Sequence, residues 1–149
     1  MLNQHHDAPP TGKLPFPPPQ VPPDAPIEYS QFWQLWSEEK FYECHEVLEE
    51  LWRGTPSRER WFLNGLINCA VAVYQHRRGN ATGAARQLLR AQVKLRPFEP
   101  SHHGVAITDL LQGVADEIAP SLHSLSESQR AQWPAVEQSI KQRMARDFS

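Results

Sequence analysis

One segment of the chain is apolar around its whole circumference when it is drawn as a helix, and this feature restricts the fold most. The pattern predicts a helix over 57–78, because Thr55-Pro56 supplies a start signal and Gly79 a stop signal. Its apolar residues are Trp61, Phe62, Leu63, Leu66, Ile67, Cys69, Ala70, Val71, Val73 and Tyr74. A helix of this kind must be covered on every side. The rest of the chain is therefore expected to pack around it.

The segments on both sides predict more helices and no sheet. Helices are predicted over 29–38, 40–53, 81–95 and 104–118, and a capping box begins a last helix at Ser126. No segment alternates apolar and polar residues as a strand would. The sequence therefore predicts an all-α fold, a compact irregular helical bundle of about five to six helices. This bundle is expected to be a single domain over 27–149.

Proline is concentrated at the start of the chain. Nine of the 14 prolines precede Ile27. Proline has no amide hydrogen and disfavours helix in the residue before it. Residues 1–26 are therefore expected to form a disordered, proline-rich tail. Pro15-Phe16-Pro17-Pro18 has the PxxP spacing of a ligand for an aromatic groove, and a solubilising extension is the alternative.

Composition and charge restrict the partners and the compartment. The formal net charge is −2 at pH 7 and the pI is about 6.4, which argues against a dedicated nucleic-acid or membrane-surface protein. The longest nearly apolar run, 66–74, is far shorter than the roughly 20 residues that cross a bilayer. The first residues lack the order of a signal peptide. With two cysteines, Cys44 and Cys69, in helical patterns, we expect reduced thiols and a cytoplasmic location.

Two surface features suggest macromolecular partners. Arg86, Arg90 and Lys94 recur at helical spacing on the polar side of helix 81–95. They form either a solvated basic face or a weak phosphate or RNA surface, and a nucleic-acid partner is not expected from so weak a stripe. Because no aromatic residue interrupts them, a stacking platform for single strands is not expected either. The five tryptophans and the aromatic-rich helix 29–38 make a homodimer the alternative to a monomer.

The richest polar motif lies in helix 40–53. Its polar and aromatic residues are Glu43, His45, Glu46, Glu49 and Trp52. His45 and Glu49 lie one turn apart at the edge of the apolar face, and Glu46 lies near Glu49. Asn64 and Asn68 lie one turn apart on helix 57–78, and a buried amide needs a partner. We therefore expect Asn68, with Asn64, to face His45, Glu46 or Glu49 across the interface of these two helices.

Three interpretations of this cluster remain open. It is a hydrogen-bond network that fixes helix register, a metal site, or a polar pocket for a small ligand with Glu46 as general base. As metal ligands, His45 and Glu49 resemble one part of the zincin motif His-Glu-x-x-His, but Glu49 replaces the second histidine. A third ligand would have to be His76, His102 or His103, at distances that the sequence does not give. No cofactor is predicted, and a divalent metal is the alternative.

Several separated motifs, in order, resemble one family. They are Phe41-Tyr42-Glu43-Cys44-His45-Glu46-Val47-Leu48-Glu49-Glu50-Leu51-Trp52, Gly65-Leu66-Ile67-Asn68, Gly79-Asn80, Gly83-Ala84 and Leu88-Leu89. The chain is similar over about 32–111 to domain of unknown function 309. The resemblance implies a small irregular all-α array without an assigned activity. Its polar motif falls on the residues of helix 40–53 named above, and Asn68 stands where the family commonly has Gln.

From this we expect a non-catalytic binding or interaction module. The alternative is a metal-dependent hydrolase in which His45 and Glu49 are ligands and Glu46 is the base.

Overall fold

The computed structural model describes residues 7–148, and it confirms the all-α prediction. The helices are α1 (Ile27–Ser37), α2 (Phe41–Arg53), α3 (Ser57–Arg77), α4 (Ala81–Leu95), α5 (Ile107–Glu117), α6 (Ala119–His123), α7 (Glu127–Arg130) and α8 (Trp133–Phe148). A 3-10 turn at Arg96–Phe98 follows α4. Two short strands, β1 (Ser101–His102) and β2 (Val105–Ala106), pair antiparallel before α5. The predicted helix 104–118 therefore begins later, at Ile107, because its first residues belong to this hairpin.

Helix α3 lies at the centre, as its apolar circumference predicts. It packs against α2 on one side and α4 on the other, with further contacts to α5 and α8. Leu66, Cys69 and Val73 have no exposed surface. The approach of α4 is close, because a Cβ at Gly65 would lie 2.5 Å from Cγ of Leu95. Helix α3 therefore lies at the centre of the main core, and Val93 of α4 forms a second, smaller cluster with Ile140 and Met144 of α8.

Local signals set two of the helix starts where the sequence predicts them. The side chain of Asn80 accepts a hydrogen bond from the amide of Gly83 at 3.0 Å and caps α4. Ser126 and Gln129 form the expected capping box at the start of α7. The last helix predicted from Ser126 is two helices in the structure, since α7 ends at Arg130 and α8 begins at Trp133 with Pro134 in its first turn.

The aromatic residues of α1 lie inside the core. Tyr29, Phe32, Trp33 and Trp36 are all buried, and the rings of Phe32 and Trp33 pack edge to face at 4.9 Å. These residues suggested a homodimer, but their apolar surface is covered within the chain itself. The homodimer remains a prediction without this support.

Residues 7–26, here called the strap, lie against the helices, which differs from the expected disorder. Phe16 is buried, and its carbonyl accepts a hydrogen bond from the indole nitrogen of Trp36 at 2.9 Å. The strap also lies directly on α5, since a Cβ at Gly113 would come within 2.0 Å of the Pro15 carbonyl oxygen. The prolines exclude helix, as predicted, but Phe16 buries enough apolar surface to hold the extended backbone in place. Residues 1–6 of the predicted tail lie outside the described residues.

A buried carboxylate anchors the strap. Glu39 accepts hydrogen bonds from the amide and hydroxyl of Thr11, at 2.8 and 2.7 Å, and from the amide of Gly12 at 2.8 Å. Arg77 pairs with Glu39 and, through Nε at 3.2 Å, with Glu117. Burial alone would raise the pKa of Glu39, but the hydrogen bonds from Thr11, Arg77 and Gly12 outweigh it and lower this pKa to about 2. Glu39 is therefore a buried charge with full hydrogen bonding.

Two further observations concern the sequence predictions of location. None of the helices within residues 7–148 is both long enough and apolar enough to cross a membrane. Cys44 and Cys69 are free and fully buried, and burial raises the pKa of both thiols. Both are therefore unreactive core residues in the folded chain.

Candidate functional site

The polar motif of α2 does not converge on one point. The Nδ1–H of His45 donates to the carbonyl of Tyr42 in its own helix. Glu49 lies 3.8 Å from Arg53, which also pairs with Glu50 at 3.1 Å. Glu43 and Glu46 are exposed. Trp52 is partly buried, and the guanidinium of Arg60 lies 4.8 Å above its ring. The polar contacts of His45, Glu49 and Trp52 therefore lie within α2 or with the start of α3.

Asn68 faces α4, which corrects the expectation that it meets α2. Its amide nitrogen donates to Oε1 of Gln87 at 2.8 Å, and its oxygen accepts from Nζ of Lys94 at 2.9 Å. The same ammonium group donates to Oδ1 of Asn64. The buried amide has partners, as expected, but they come from the other neighbouring helix. Because α3 is apolar all around, its pattern does not show which neighbour each polar residue faces.

Lys94 is therefore an interior residue, and the predicted basic stripe is divided. Its side chain is buried, whereas Arg86 is exposed and Arg90 is partly buried. Burial, followed by the charges of Arg90 and Arg143, lowers the pKa of Lys94 to about 8. The surface that remains for a phosphate is smaller than the sequence pattern indicates.

The burial of the Lys94 ammonium group predicts how the free energy of unfolding changes with pH. Between about pH 8 and its ordinary pKa of 10.5, Lys94 binds a proton in the unfolded chain but not in the folded one, so stability rises with pH. We expect this contribution of Lys94 to add about 1–2 kcal/mol to the free energy of unfolding between pH 8 and 9.5. It is seen as the difference between the wild type and Lys94→Met, because the buried thiols of Cys44 and Cys69 act in the opposite direction in both chains. Urea unfolding at several pH values would measure it. The Lys94→Met variant should lack this increase, and parallel profiles would contradict the assignment.

A second polar cluster joins α3 to the β-hairpin. The carboxylate of Glu59, in the first turn of α3, accepts from Nε2 of His102 at 2.7 Å and from Nε2 of His103 at 2.9 Å. One ligand atom from each of these residues lies within 4.8 Å of the other two. We call these three residues the His–Glu cluster. The sequence shows His102 and His103 as adjacent imidazoles, but nothing in the spacing places Glu59 beside them.

The hairpin turn directs both imidazoles to the same side. Neighbouring residues of a strand point to opposite faces, but His103 has a φ of 46° and Gly104 a φ of 81°. The chain therefore leaves the extended conformation at His103, and the two ring centroids are 4.1 Å apart. The hydroxyl of Tyr29 donates to the carbonyl of His103 at 2.9 Å, which ties the turn to α1.

A cleft opens beside the cluster, between the strap and the ends of α2 and α3. It has a volume of about 310 Å³. Its apolar lining comes from Pro22, Ala25, Pro26, Tyr29, Leu51 and Leu63. Its polar lining comes from Asp24, Thr55, Glu59 and His103. We call it the strap cleft, because residues of the strap form one of its walls.

Comparison with known proteins assigns the central helices to a family. The family model described as "Domain of unknown function (DUF309)" matches residues 29–87. This part of the chain belongs to DUF309. The DUF309 match begins after the strap and ends within α4. It includes Glu59 but neither His102 nor His103, so the His–Glu cluster extends beyond it.

A curated relative supports the DUF309 assignment. The chain is 36% identical over 90 residues to the uncharacterized protein YpuF of Bacillus subtilis (strain 168). That alignment covers 59% of this chain and 49% of YpuF, so the chain spans about half the length of this relative. No solved structure matches the chain. The DUF309 assignment therefore gives a family without a described activity.

Proposed function

We propose that this chain is a non-catalytic binding module whose ligand occupies the strap cleft. The observation that carries the proposal is the combination of apolar walls and acidic groups in one cleft of about 310 Å³. Small-molecule sites are concave, mostly apolar and equipped with a few polar groups that orient the ligand, with volumes from roughly 300 Å³ upwards. The strap cleft has these properties.

The charges at the cleft indicate the kind of ligand. Asp24 is exposed and has no hydrogen-bond or ion-pair partner among residues 7–148. Glu59 supplies a second carboxylate at the same cleft. Leu51, Leu63 and Tyr29 offer apolar contact away from these charges. The ligand we propose has a small apolar body and a positively charged end, which Asp24 attracts and hydrogen-bonds.

A series of matched fragments tests this proposal. Phenethylamine, 2-phenylethanol and hydrocinnamate share an aromatic body and differ in the charge of the end group. We expect the amine to bind most tightly and the carboxylate least, with amide shifts concentrated around the cleft in ¹⁵N spectra. Asp24→Asn should weaken binding of the amine but not of the alcohol, and Ala25→Trp should weaken both by filling the cleft.

Two control variants accompany this experiment. Asp109→Asn removes an exposed carboxylate of α5, and Ala135→Trp adds an indole to the exposed side of α8. Neither residue lines the strap cleft, so both variants should bind like the wild type. Equal affinity for the amine and the carboxylate, or shifts remote from the cleft, would refute the proposal.

The alternative function, a metal-dependent hydrolase on His45, Glu46 and Glu49, has less support. Within residues 7–148, the three metal-ligating side chains that lie within reach of one another are Glu59, His102 and His103. Arg53 lies against Glu49, and Glu46 is exposed without a third ligand nearby. The binding module is therefore the better proposal.

Location and macromolecular partners complete the proposal. We propose a cytoplasmic location, which fits the two buried free thiols. We also propose that the chain has no nucleic-acid partner, because Lys94 points into the interior and interrupts the basic stripe.

A further inference from the structure

We infer that Glu59, His102 and His103 together bind one divalent metal ion of the zinc class. Two imidazoles and one carboxylate are a common ligand set for zinc and its first-row neighbours. One ligand atom from each residue lies within 4.8 Å of the others. Ligand atoms around a tetrahedral zinc are roughly 3.3 Å apart, so small side-chain rotations complete the site.

The hydrogen bonds of the cluster resemble those of a site before metal enters. Nε2 of each histidine donates its hydrogen to a separate oxygen of Glu59, at 2.7 and 2.9 Å. When a metal ion binds, each neutral imidazole carries its hydrogen on Nδ1 instead of Nε2, so that both Nε2 lone pairs and the carboxylate face one positive charge. Three protein ligands leave a fourth position for water or another ligand.

The surroundings hold the ligands in position. The ring of His102 packs 4.7 Å from Phe62 and 4.8 Å from Phe98, measured between centroids. His103 adopts a positive φ, which costs free energy for a residue other than glycine. This conformation brings the second imidazole beside the first, and Tyr29 fixes its carbonyl. Backbone strain that brings two imidazoles to the same carboxylate fits a metal site better than a surface turn without a ligand.

The metal site and the proposed ligand of the strap cleft can be tested separately. Glu59 and His103 line that cleft, but His102 does not, and Asp24 belongs to the cleft but not to the cluster. We therefore expect His102→Ala to weaken metal binding while phenethylamine still binds as it does to the parent chain. Conversely, Asp24→Asn should leave metal affinity unchanged. Failure of one proposal thus leaves the other one intact.

Titration of the metal-free full chain with Zn²⁺, in competition with a chromophoric chelator, measures the affinity. His5 and His6 are replaced by alanine throughout, because adjacent imidazoles near a terminus also bind divalent metals. We expect one Zn²⁺ per chain, and visible absorption of bound Co²⁺ typical of tetrahedral coordination. Glu59→Gln, His102→Ala and His103→Ala should each weaken binding at least about 10-fold.

Control variants distinguish the loss of a metal-ligating side chain from unfolding of the chain. His123→Ala removes an exposed histidine of α6 and should bind zinc like the parent. His103→Ala and Glu59→Gln change partly exposed side chains, so they remain informative if His102→Ala unfolds, and circular dichroism checks each variant. Absence of stoichiometric binding overturns the inference. Binding that is unchanged in both Glu59→Gln and His103→Ala overturns it as well.

Discussion

Replacing Arg77 by methionine should lower the free energy of unfolding by about 3–5 kcal/mol. Arg77 is largely buried and pairs with both Glu39 and Glu117, and its guanidinium also lies 4.8 Å above the ring of Phe41. The variant leaves the charge of Glu39 inside the protein without its cation. Removal of one partner from a buried ion pair is costly because the remaining charge is uncompensated.

Urea unfolding of three variants would check this expectation. Arg53→Met serves as the matched control, since the pairs of Arg53 with Glu49 and Glu50 are exposed. This control should lose at most about 1 kcal/mol. Adding Glu39→Gln to Arg77→Met removes the uncompensated charge and should restore part of the stability. If Arg77→Met is no more destabilised than Arg53→Met, the buried pair does not hold the strap as described.

The same pair predicts how stability changes in acid. The pKa of Glu39 is about 2 in the folded chain, below its ordinary value of 4.5, so its contribution is present above pH 4.5. This contribution is lost as the pH falls from 4.5 towards 2, and it amounts to up to about 3 kcal/mol. Acid unfolding of the wild type and Glu39→Gln would show it as a shallower pH dependence in the variant.

The second large effect concerns Gly113→Ala. Helix propensity alone predicts that this change raises the free energy of unfolding, whereas the structure predicts that it lowers it. Gly113 lies within α5, where alanine is favoured over glycine by about 1 kcal/mol. In the structure, however, the added Cβ would lie 2.0 Å from the Pro15 carbonyl oxygen. Because backbone atoms cannot yield as a side chain can, we expect the strap to leave α5, with a loss of about 1–3 kcal/mol.

Limited trypsin digestion would detect displacement of the strap. Lys13 is the sole lysine or arginine among residues 1–39, so a cut after it reports on the strap. Gly113→Ala should be cleaved there much faster than the wild type and be less stable in urea. Gly54→Ala is the control, because the nearest atom to its added Cβ is 3.9 Å away. Greater stability of Gly113→Ala would show that the strap does not lie on α5.

Local signals made most of the helices predictable. Asn80 and the pair Ser126 and Gln129 cap their helices through contacts three residues apart, which the sequence displays directly. The apolar circumference of α3 predicted its central place in the same way, since its burial follows from composition around the helix. These features depend on near neighbours in the chain, so a single sequence contains them.

The other features depend on contacts between distant residues. The proline pattern excludes helix in the strap, but it does not show that Phe16 finds a site beside Trp36. A helical wheel gives the angle of Asn68, yet it does not show whether α2 or α4 lies at that angle. Glu59 meets His102 across 43 residues of sequence, and the turn at His103 that aligns both imidazoles is a tertiary feature. The sequence therefore shows the two adjacent histidines, but it does not identify Glu59 as the third residue of the cluster.

The two native thiols make the chain suitable for selective fluorescent labelling. Burial keeps Cys44 and Cys69 away from reagents and in their protonated form. A cysteine introduced at the exposed Gln20 would therefore be the preferred target of a maleimide dye. Energy transfer from the tryptophans beneath would then report, in real time and under native conditions, how often this part of the chain lifts from the surface.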